Sequence, residues 1–238
     1  MELERLKKSV LSRYSSEEDV KVYAQRSAEG FRNWERLIVE KFMLPTKVLS
    51  IGCGGGRESF ALESLGYDAH GLDISEEQIA SANERKLACG SNAHFHVYDG
   101  SSIPFPDACF GSVTMWSQVL GNVPGSQQRH RLLRECLRVL VDHGILSISV
   151  HDLKRSMRRL RDSADEYREL EGGEPGDLLL ATSSGIECYW HYFTQEELRH
   201  QCSEAGFTIA LETTSDRLGQ DWDNLDIVVC RKAITSRV

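Results

Sequence analysis

The sequence predicts an α/β protein built on a doubly wound, mostly parallel sheet. Strand-like and helix-like segments alternate from Thr46 onward, a pattern typical of parallel strands covered by helices on both faces. A glycine-rich turn follows the first strand directly, and the last two strand-like segments follow each other without a helix between them. We therefore expect the last strand to run antiparallel and to close one edge of the sheet.

The residues before this alternation are expected to be helical. Apolar residues at helical spacing predict a short helix that begins near Leu3. Ser15 and Glu18 have the spacing of a capping box, with Ser15 as the N-cap of a second helix. Gly30 then separates this helix from a third apolar pattern, which ends at Pro45. Residues 1–45 thus form a helical segment ahead of the sheet.

Seven strands and four helices are predicted after residue 45. The strands are short apolar segments bounded by turn residues, namely Lys47–Ile51, Asp68–Asp73, Ala93–Tyr98, Gly111–Trp116, Gly144–Val150, Phe207–Glu212 and Leu225–Arg231. The helices are Glu58–Leu65, Glu76–Cys89, Gln127–Leu140 and Thr194–Ala205.

The composition is that of an ordinary globular protein, with 40% apolar and 27% charged residues. No segment approaches the roughly 18 consecutive apolar residues that a membrane span needs, and the first ten residues lack the apolar centre of a signal peptide. The seven cysteines are scattered, without a CxxC pair or a Cys/His spacing typical of a metal site. We therefore predict reduced thiols, no metal and a cytoplasmic location.

The charge distribution disfavours a nucleic-acid partner. The net charge is −8, whereas phosphate-binding proteins are usually basic. A local exception is the basic segment 154–161, whose charges flank an apolar helical stripe and are followed by acidic residues. We interpret this segment as a solvated helix face. An RNA-binding surface is the alternative.

The glycine-rich turn indicates a nucleotide-like cofactor. Val48–Ile51 leads directly into Gly52, Gly54 and Gly56, and a helix pattern begins immediately afterwards. Such a turn lets a ligand approach backbone N–H groups near a helix N-terminus. A dinucleotide fingerprint would place its third glycine at position 57, where this chain has arginine. This difference disfavours a dinucleotide.

Two acidic residues lie after the next two predicted strands. Asp73 ends the second strand, where a carboxylate can accept hydrogen bonds from both hydroxyls of a ribose. Asp99 follows the third strand, where it can accept from an adenine amino group beside the apolar side chain of Ile103. Because open α/β sheets bind ligands at the carboxyl ends of their strands, all three sites are expected to face one cavity.

These residues resemble the class I S-adenosylmethionine-dependent methyltransferases over roughly residues 46–238. Five segments resemble the motifs of that family in order and spacing: VLSIGCGGGRE, HGLDIS, VYDGSSIPFPDACFGSV, RECLRVLVDHGILSISV and HYFTQEELRHQCSEAGF. The resemblance implies a Rossmann-like, seven-stranded sheet whose last strand is antiparallel. It also implies S-adenosyl-L-methionine as the cofactor.

The resemblance also implies roles for individual residues. The methionyl part of the cofactor would lie against Gly52, Cys53 and Gly54. The ribose and adenine would contact Asp73, Ile74, Asp99, Gly100 and Ser101. Ser117, with Gln118 beside it, would face the methyl group and the substrate. One position departs from the family pattern, because Ser50 stands where members commonly have an acid that helps to anchor the ammonium group of the cofactor.

Members of this family commonly cover the cofactor with a lid. By this resemblance, residues 1–45 form an N-terminal helical lid and residues 152–190 form a helical cap insertion in the domain of residues 46–238. Aromatic residues of the N-terminal segment could reach the cavity or pack in the core, and these are Tyr14, Tyr23, Phe31 and Trp34.

Three residues are candidates for a general base. His151 follows the fifth strand, and His191 and Tyr192 belong to the aromatic segment 188–193. That segment could line a pocket or form a buried strand, since aromatic residues favour strands. The predicted function is methyl transfer to a small-molecule nucleophile whose attacking atom is unknown. The alternatives are an RNA methyltransferase, a cofactor-binding module without catalysis and, least favoured, a nicotinamide-dependent oxidoreductase.

Overall fold

A seven-stranded sheet forms the centre of the computed structural model, which describes residues 2–162, 166–181, 185–219 and 225–234. Its strand order is β3-β2-β1-β4-β5-β10-β9, and a separate three-stranded sheet has the order β6-β7-β8. In the described residues the strands are β1 (Lys47–Ile51), β2 (Asp68–Asp73), β3 (His94–Val97), β4 (Phe110–Met115), β5 (Leu140–His151), β6 (Tyr167–Glu169), β7 (Asp177–Ala181), β8 (Glu187–His191), β9 (Phe207–Thr214) and β10 (Leu225–Lys232).

Helices cover both faces of the large sheet. The α-helices are α1 (Glu2–Tyr14), α2 (Glu17–Arg26), α3 (Asn33–Phe42), α4 (Arg57–Ser64), α5 (Glu76–Cys89), α6 (Ser126–Val139), α7 (Leu153–Asp162) and α8 (Gln195–Glu204). Helices α6 and α8 pack against one face around Leu133, Phe110 and Leu198. Helices α3, α4 and α5 pack against the other face around Trp34, Leu62 and Ile79. The doubly wound arrangement predicted from the sequence is therefore confirmed.

The directions of the strands also agree with the prediction. Strand β1 pairs in parallel with β2 and with β4, and β4 pairs in parallel with β5. Strand β10 is antiparallel to both of its neighbours, β5 and β9. The last strand thus inserts between two earlier strands, and β9 rather than β10 forms that edge of the sheet.

The cap insertion differs from the helical prediction. Helix α7 accounts for its first part, but β6, β7 and β8 then pair as an antiparallel sheet. The aromatic segment 188–193 runs along β8, where Tyr189 and Tyr192 are buried. The prediction of a helical insertion is wrong beyond Asp162 because aromatic and aliphatic side chains there gain more from strand pairing and burial than from a helix. Of the insertion, residues 163–165 and 182–184 lie outside the described part.

The N-terminal helices have two different environments. Helix α1 packs its buried Leu6 and Val10 against the cap sheet. In contrast, α3 belongs to the body of the domain. Its fully buried Trp34 packs edge-on against Trp116, with ring centroids 5.3 Å apart. The cap of α2 is Ser16, whose side chain accepts from the Asp19 N–H, rather than the predicted Ser15. None of the helices in the described residues could cross a membrane.

Candidate active site

A cavity of about 480 Å³ lies at the carboxyl ends of β1, β2 and β4. Its floor is the glycine turn after β1, and its walls include the loops after β2, β3 and β4. Helices α1 and α2 cover it from the opposite side. Because the carboxyl ends of parallel strands meet at one edge of the sheet, the motifs that the sequence places far apart converge here.

The glycine turn is shaped by close packing on both sides. Gly52 has a φ of +68°, and a Cβ there would lie 2.3 Å from Cγ2 of Val119 in the loop after β4. A Cβ on Gly55 would lie 2.7 Å from the carbonyl oxygen of Tyr23. The ring of Tyr23 contacts the idealised Cβ position of Gly54 at 3.5 Å. Glycine is therefore required for both backbone conformation and space, and α2 packs directly on the turn.

Asp73 holds the glycine turn from the end of β2. Its Oδ2 accepts from the N–H of Gly54 at 2.8 Å, and its Oδ1 accepts from the N–H of Ser75 at 3.0 Å. Burial raises the pKa of this carboxyl, although these backbone N–H groups act in the opposite direction. No cation pairs with Asp73 among the described residues. It is therefore a buried acceptor that faces the cavity.

Asp99 has an exposed position on the same rim. Its Oδ1 accepts from the N–H groups of Ser102 and Ser101, at 2.9 and 2.8 Å, and these bonds lower the pKa of the carboxyl. Ser101 thus supplies a backbone contact within the turn itself. Beside it, a Cβ on Gly100 would lie 3.2 Å from the side chain of Ile74, so the two loops pack together. Asp99, Gly100 and Ile74 all line the cavity.

The loop after β4 has an unusual backbone. Ser117 and Gln118 have φ values of +57° and +72°, a left-handed conformation that costs free energy in residues other than glycine. Hydrogen bonds hold this conformation, since the Ser117 N–H donates to Oγ of Ser149 at 2.8 Å. Ser117 lines the cavity, whereas Gln118 is buried behind it. The Gln118 amide donates to the carbonyl oxygen of His191 at 2.7 Å.

Ser50 does not take over the role of the acid that members of the family commonly have at this position. It is buried inside the sheet, and its hydroxyl lies 2.8 Å from that of Thr114 on the neighbouring strand β4. It does not appear among the described residues that line the cavity. Glu58 does line the cavity, but it accepts from Arg57 at 2.6 Å.

Gln78 is a site residue that the sequence did not indicate. It is buried on α5, and its Nε2 donates to the carbonyl oxygen of Tyr14 at 2.9 Å. Its Oε1 has no hydrogen-bond partner among the described residues and lies 3.7 Å from the idealised Cβ position of Gly54. A buried acceptor without a donor costs free energy. The sequence feature that could have indicated Gln78 is its position on α5, three residues after the N-cap Ser75.

The sequence also did not indicate that Arg57 links the N-terminal segment to α4. Both of its terminal nitrogens donate to Glu35 of α3, at 2.7 and 2.6 Å, and one also donates to the Gly30 carbonyl oxygen at 2.7 Å. The arginine that departs from the dinucleotide fingerprint therefore fastens the N-terminal segment to the start of α4. It still contributes to the cavity wall, together with Tyr98.

Helix α1 forms the roof of the cavity and is fixed by polar contacts. The hydroxyl of Tyr14 donates to Oδ1 of Asn122 at 3.0 Å, and Ser15 donates to Oγ of Ser75 at 3.0 Å. Tyr14 and Tyr23 line the cavity, whereas Phe31 and Trp34 pack in the core. Charged residues from the first two helices also line the roof, and these are Glu4, Lys7, Lys8 and Arg26.

The three predicted catalytic residues lie outside the cavity wall. His191 and Tyr192 are fully buried in the cap, and the ring of His151 packs against those of Trp190 and Tyr192, with centroid distances of 6.0 and 6.1 Å. In the described residues, no histidine lines the cavity. The structure thus favours the buried-strand interpretation of the aromatic segment over the pocket-lining one.

His191 instead belongs to a buried ionic network of the cap. Its Nδ1 lies 2.6 Å from Asp177 and its Nε2 lies 2.9 Å from Glu197. Burial disfavours the charged imidazole, but the hydrogen bonds to these two carboxylates outweigh it and raise the pKa of His191. Asp177 also accepts from the hydroxyl of Tyr189 at 2.6 Å, and Tyr189 accepts from the fully buried Arg129. This network joins β7 and β8 to α6 and α8.

Comparison with known proteins finds similarity to methyltransferases. The family described as "Methyltransferase domain" matches residues 48–144. TehB of Haemophilus influenzae, named a probable S-adenosyl-L-methionine-dependent methyltransferase, is 44% identical over 59 residues, which are 25% of this chain and 21% of that protein. A ubiquinone biosynthesis O-methyltransferase of Paraburkholderia phymatum is 30% identical over 78 residues, which are 33% of this chain and 34% of that protein. The chain therefore spans about a third or less of these two relatives.

A solved structure extends the similarity to most of the chain. A SAM-dependent methyltransferase from Methanosarcina mazei superposes with a TM-score of 0.71 at 25% identity. The match covers 83% of this chain and 98% of that protein. The PH0226 protein of Pyrococcus horikoshii gives the same TM-score at 20% identity and covers 93% of this chain and 94% of its own. The similarity thus includes segments outside residues 48–144.

Proposed function

Because the chain belongs to the class I S-adenosylmethionine-dependent methyltransferases, we propose that it transfers a methyl group to a small-molecule nucleophile. The observation that carries this proposal is the cavity in which the glycine turn, Asp73 and Asp99 meet under the roof of α1. S-adenosyl-L-methionine is the methyl donor of the family.

The residues of the cavity fit this donor. Asp73 would accept from the ribose hydroxyls, because it is a buried carboxylate without a paired cation in the described structure. Ile74, Asp99 and Gly100 would hold the adenine, as the resemblance implies. The unpartnered Oε1 of Gln78 lies beside Gly54, where the resemblance puts the methionyl part. We propose that this oxygen accepts from the donor's ammonium group and so compensates for Ser50.

The bound donor supplies an electrophilic methyl group on a positively charged sulfur. The contribution of this chain is to bind and orient the two reactants and to exclude water. The left-handed backbone at Ser117 is held by Ser149, and this rigidity would fix the loop that faces the methyl group. Positioning of this kind can lower the barrier substantially without a proton transfer. We therefore assign no general base to His151, His191 or Tyr192.

The roof of the cavity favours a small substrate. Apolar side chains of α1 and of the loop after β4 line it together, among them Leu11, Val119 and Val123. Lys8 and Arg26 add positive charge, which can neutralise an acidic group of the cofactor or of the substrate. A polynucleotide would instead need an open, basic surface. The basic residues 154–161 on α7 do not line the cavity.

The proposal is tested by titrating the purified protein with S-adenosyl-L-methionine in a calorimeter and then by following transfer of a labelled methyl group. We expect one binding site and transfer to a component of a small-metabolite extract. The Gln78→Glu variant, which restores a negative charge near the glycine turn, is expected to bind the donor at least as tightly as the wild type.

Each alternative gives a different result in the same experiments. Binding without transfer to any acceptor would favour the cofactor-binding module. Transfer to tRNA, lost in a variant with Arg158 and Arg159 replaced by glutamine, would favour the RNA methyltransferase. Absence of donor binding would overturn the proposal. The seven unpaired cysteines support our further proposal of a cytoplasmic location.

A further inference from the structure

A cluster of histidines lies at the opposite end of the sheet from the cavity. Asp68 and His70 are two residues apart on β2, and His94 and His96 are two residues apart on the edge strand β3. Residues two apart on a strand share a face. The strands pair in parallel with His70 opposite His94, so all four side chains lie on the same face. The sequence did not indicate a site here, because the residues of β2 and those of β3 come together only when the two strands pair.

The distances are compatible with a shared metal ion. Nε2 of His70 lies 3.1 Å from Oδ1 of Asp68. Ligand atoms of Asp68, His70 and His94 all lie within 4.8 Å of one another. A tetrahedral zinc ion with ligand distances of about 2.0–2.2 Å holds its ligand atoms about 3.4 Å apart. The ring of His96 stacks beside that of His70, with centroids 6.0 Å apart, and lies outside this group of three ligands. A small rotation of the exposed His94 side chain would therefore suffice.

The buried ring of His70 retains unused hydrogen-bonding capacity. Nδ1 of His70, which is only 7% exposed as a residue, has no hydrogen-bond partner in the described structure.

Lys47 is the group that opposes metal binding. Its Nζ lies 3.9 Å from Oδ2 of Asp68 and 5.8 Å from the centre of the Phe105 ring. The lysine therefore competes for the carboxylate. The side chain of Lys47 is partly exposed and flexible, so its ammonium group can move away when a cation binds.

We propose that Asp68, His70 and His94 bind a divalent transition-metal ion with the nitrogen and oxygen preference of zinc. The ion would link edge strand β3 to β2 and would protect the exposed edge of the sheet. The second cluster of potential ligands, formed by Glu174, Asp177 and His191, is less suitable. Arg129 lies against Glu174 there, and Asp177 already accepts from His191 and Tyr189.

The test uses the full chain without an affinity tag, titrated with Zn²⁺ in a calorimeter. We expect one ion per chain, and we expect His94→Ala to weaken binding at least tenfold, since even loss of an outer-shell partner costs about that much. Lys47→Met removes the competing charge and is expected to tighten binding. Two matched controls should bind Zn²⁺ as the wild type does: His200→Ala removes an exposed histidine of α8, and Cys89→Ser removes an exposed thiol.

Loss of a ligand is separated from loss of the fold by two further measurements. Along β2, Asp68 lies about 17 Å and His70 about 10 Å from Asp73, whose side chain is on the other face of the strand. All variants should therefore bind S-adenosyl-L-methionine as the wild type does. Zn²⁺ should raise the melting temperature of the wild type but not that of His94→Ala. Unchanged Zn²⁺ affinity in His94→Ala, or loss of binding in Cys89→Ser, would overturn the proposal.

Discussion

Two buried carboxylates, Asp73 in the cavity and Asp177 in the cap, have opposite electrostatic environments. Asp73 accepts only from backbone N–H groups, and burial raises its pKa. Burial also opposes ionisation of Asp177, but hydrogen bonds from His191 and Tyr189 outweigh it and lower the pKa. A buried acid without side-chain partners is therefore available to a ligand. A buried acid whose oxygens are occupied by side chains stabilises the fold instead.

Asp177→Ala is expected to have the largest effect on stability. It leaves the buried His191 and Tyr189 without their shared acceptor, and breaking a buried ionic network costs about 3–5 kcal/mol. Urea denaturation measures the free energy of unfolding. The affinity for S-adenosyl-L-methionine should change by less than about threefold, since Asp177 and its side-chain partners His191 and Tyr189 lie outside the cavity wall. A variant of normal stability with weakened donor binding would contradict the comparison.

Asp73→Asn should give the reverse result. Hydrogen bonds to a charged group contribute about 1.5–3 kcal/mol each, so loss of the carboxylate should weaken donor binding about 100-fold. Isothermal titration calorimetry measures this change. Asp68→Asn is the matched control on the same strand, and it should bind the donor normally. Equal affinities in Asp73→Asn and the wild type would show that this acid does not serve the ligand.

Asp99→Ala should weaken donor binding less, by about fivefold. The carboxylate of Asp99 is exposed and water competes for its hydrogen bonds, while one of its oxygens already organises the turn at Ser101 and Ser102. The same titration measures the effect. An effect as large as that of Asp73→Asn would mean that exposure to water does not weaken the hydrogen bond between Asp99 and the donor.

The smallest effect is a pH dependence of stability that arises from His191. Its pKa is raised in the folded protein, so the folded state binds the proton more tightly than the unfolded chain. The resulting stabilisation is complete below the ordinary histidine value of about 6.5 and is lost as the pH rises through the folded pKa. The difference in unfolding free energy between wild type and His191→Gln should therefore be larger at pH 6 than at pH 9.

The control for this prediction is Leu179→Ala, which removes a buried side chain of β7 that carries no titratable group. Its difference from the wild type should be the same at pH 6 and pH 9. The other ionisable groups that face His191 are Asp177, Glu197 and Arg129, and all three are retained in both variants. A difference that grows with pH would contradict protonation of His191 in the folded protein.

The sequence predicted the sheet and the cavity floor well because their signals are local. Gly52 and Gly54 follow a strand, and Asp73 ends the next one, so topology alone brings them together. The cap was predicted poorly: the sequence between β7 and β8 contains Ser183-Ser184-Gly185, a typical turn signal, but the segment was assigned to a helical cap by resemblance. His151 was considered for catalysis because it follows a strand, and His191 and Tyr192 because they lie in an aromatic segment before a helix. Neither signal reveals that His191 and Tyr192 are buried.

Gln78 and Arg57 illustrate what a single sequence cannot reveal. The role of Gln78 depends on α1, whose Tyr14 carbonyl oxygen occupies one end of the amide. The role of Arg57 depends on the buried Glu35, which is 22 residues away in the chain. Both contacts form only after the N-terminal helices pack on the sheet, so neither spacing nor residue type indicates them.

The fixed roof of the cavity has a consequence for the timing of the reaction. Tyr14 is bonded to both Asn122 and Gln78, so α1 is fastened to the loop after β4 and to α5 beside the glycine turn. We expect these bonds to slow the departure of a molecule held between the glycine turn and α1. The residence time of the spent donor would then depend on the mobility of α1 as well as on its affinity. A Tyr14→Phe variant, which keeps the ring but loses the bond to Asn122, should release it faster in a stopped-flow measurement.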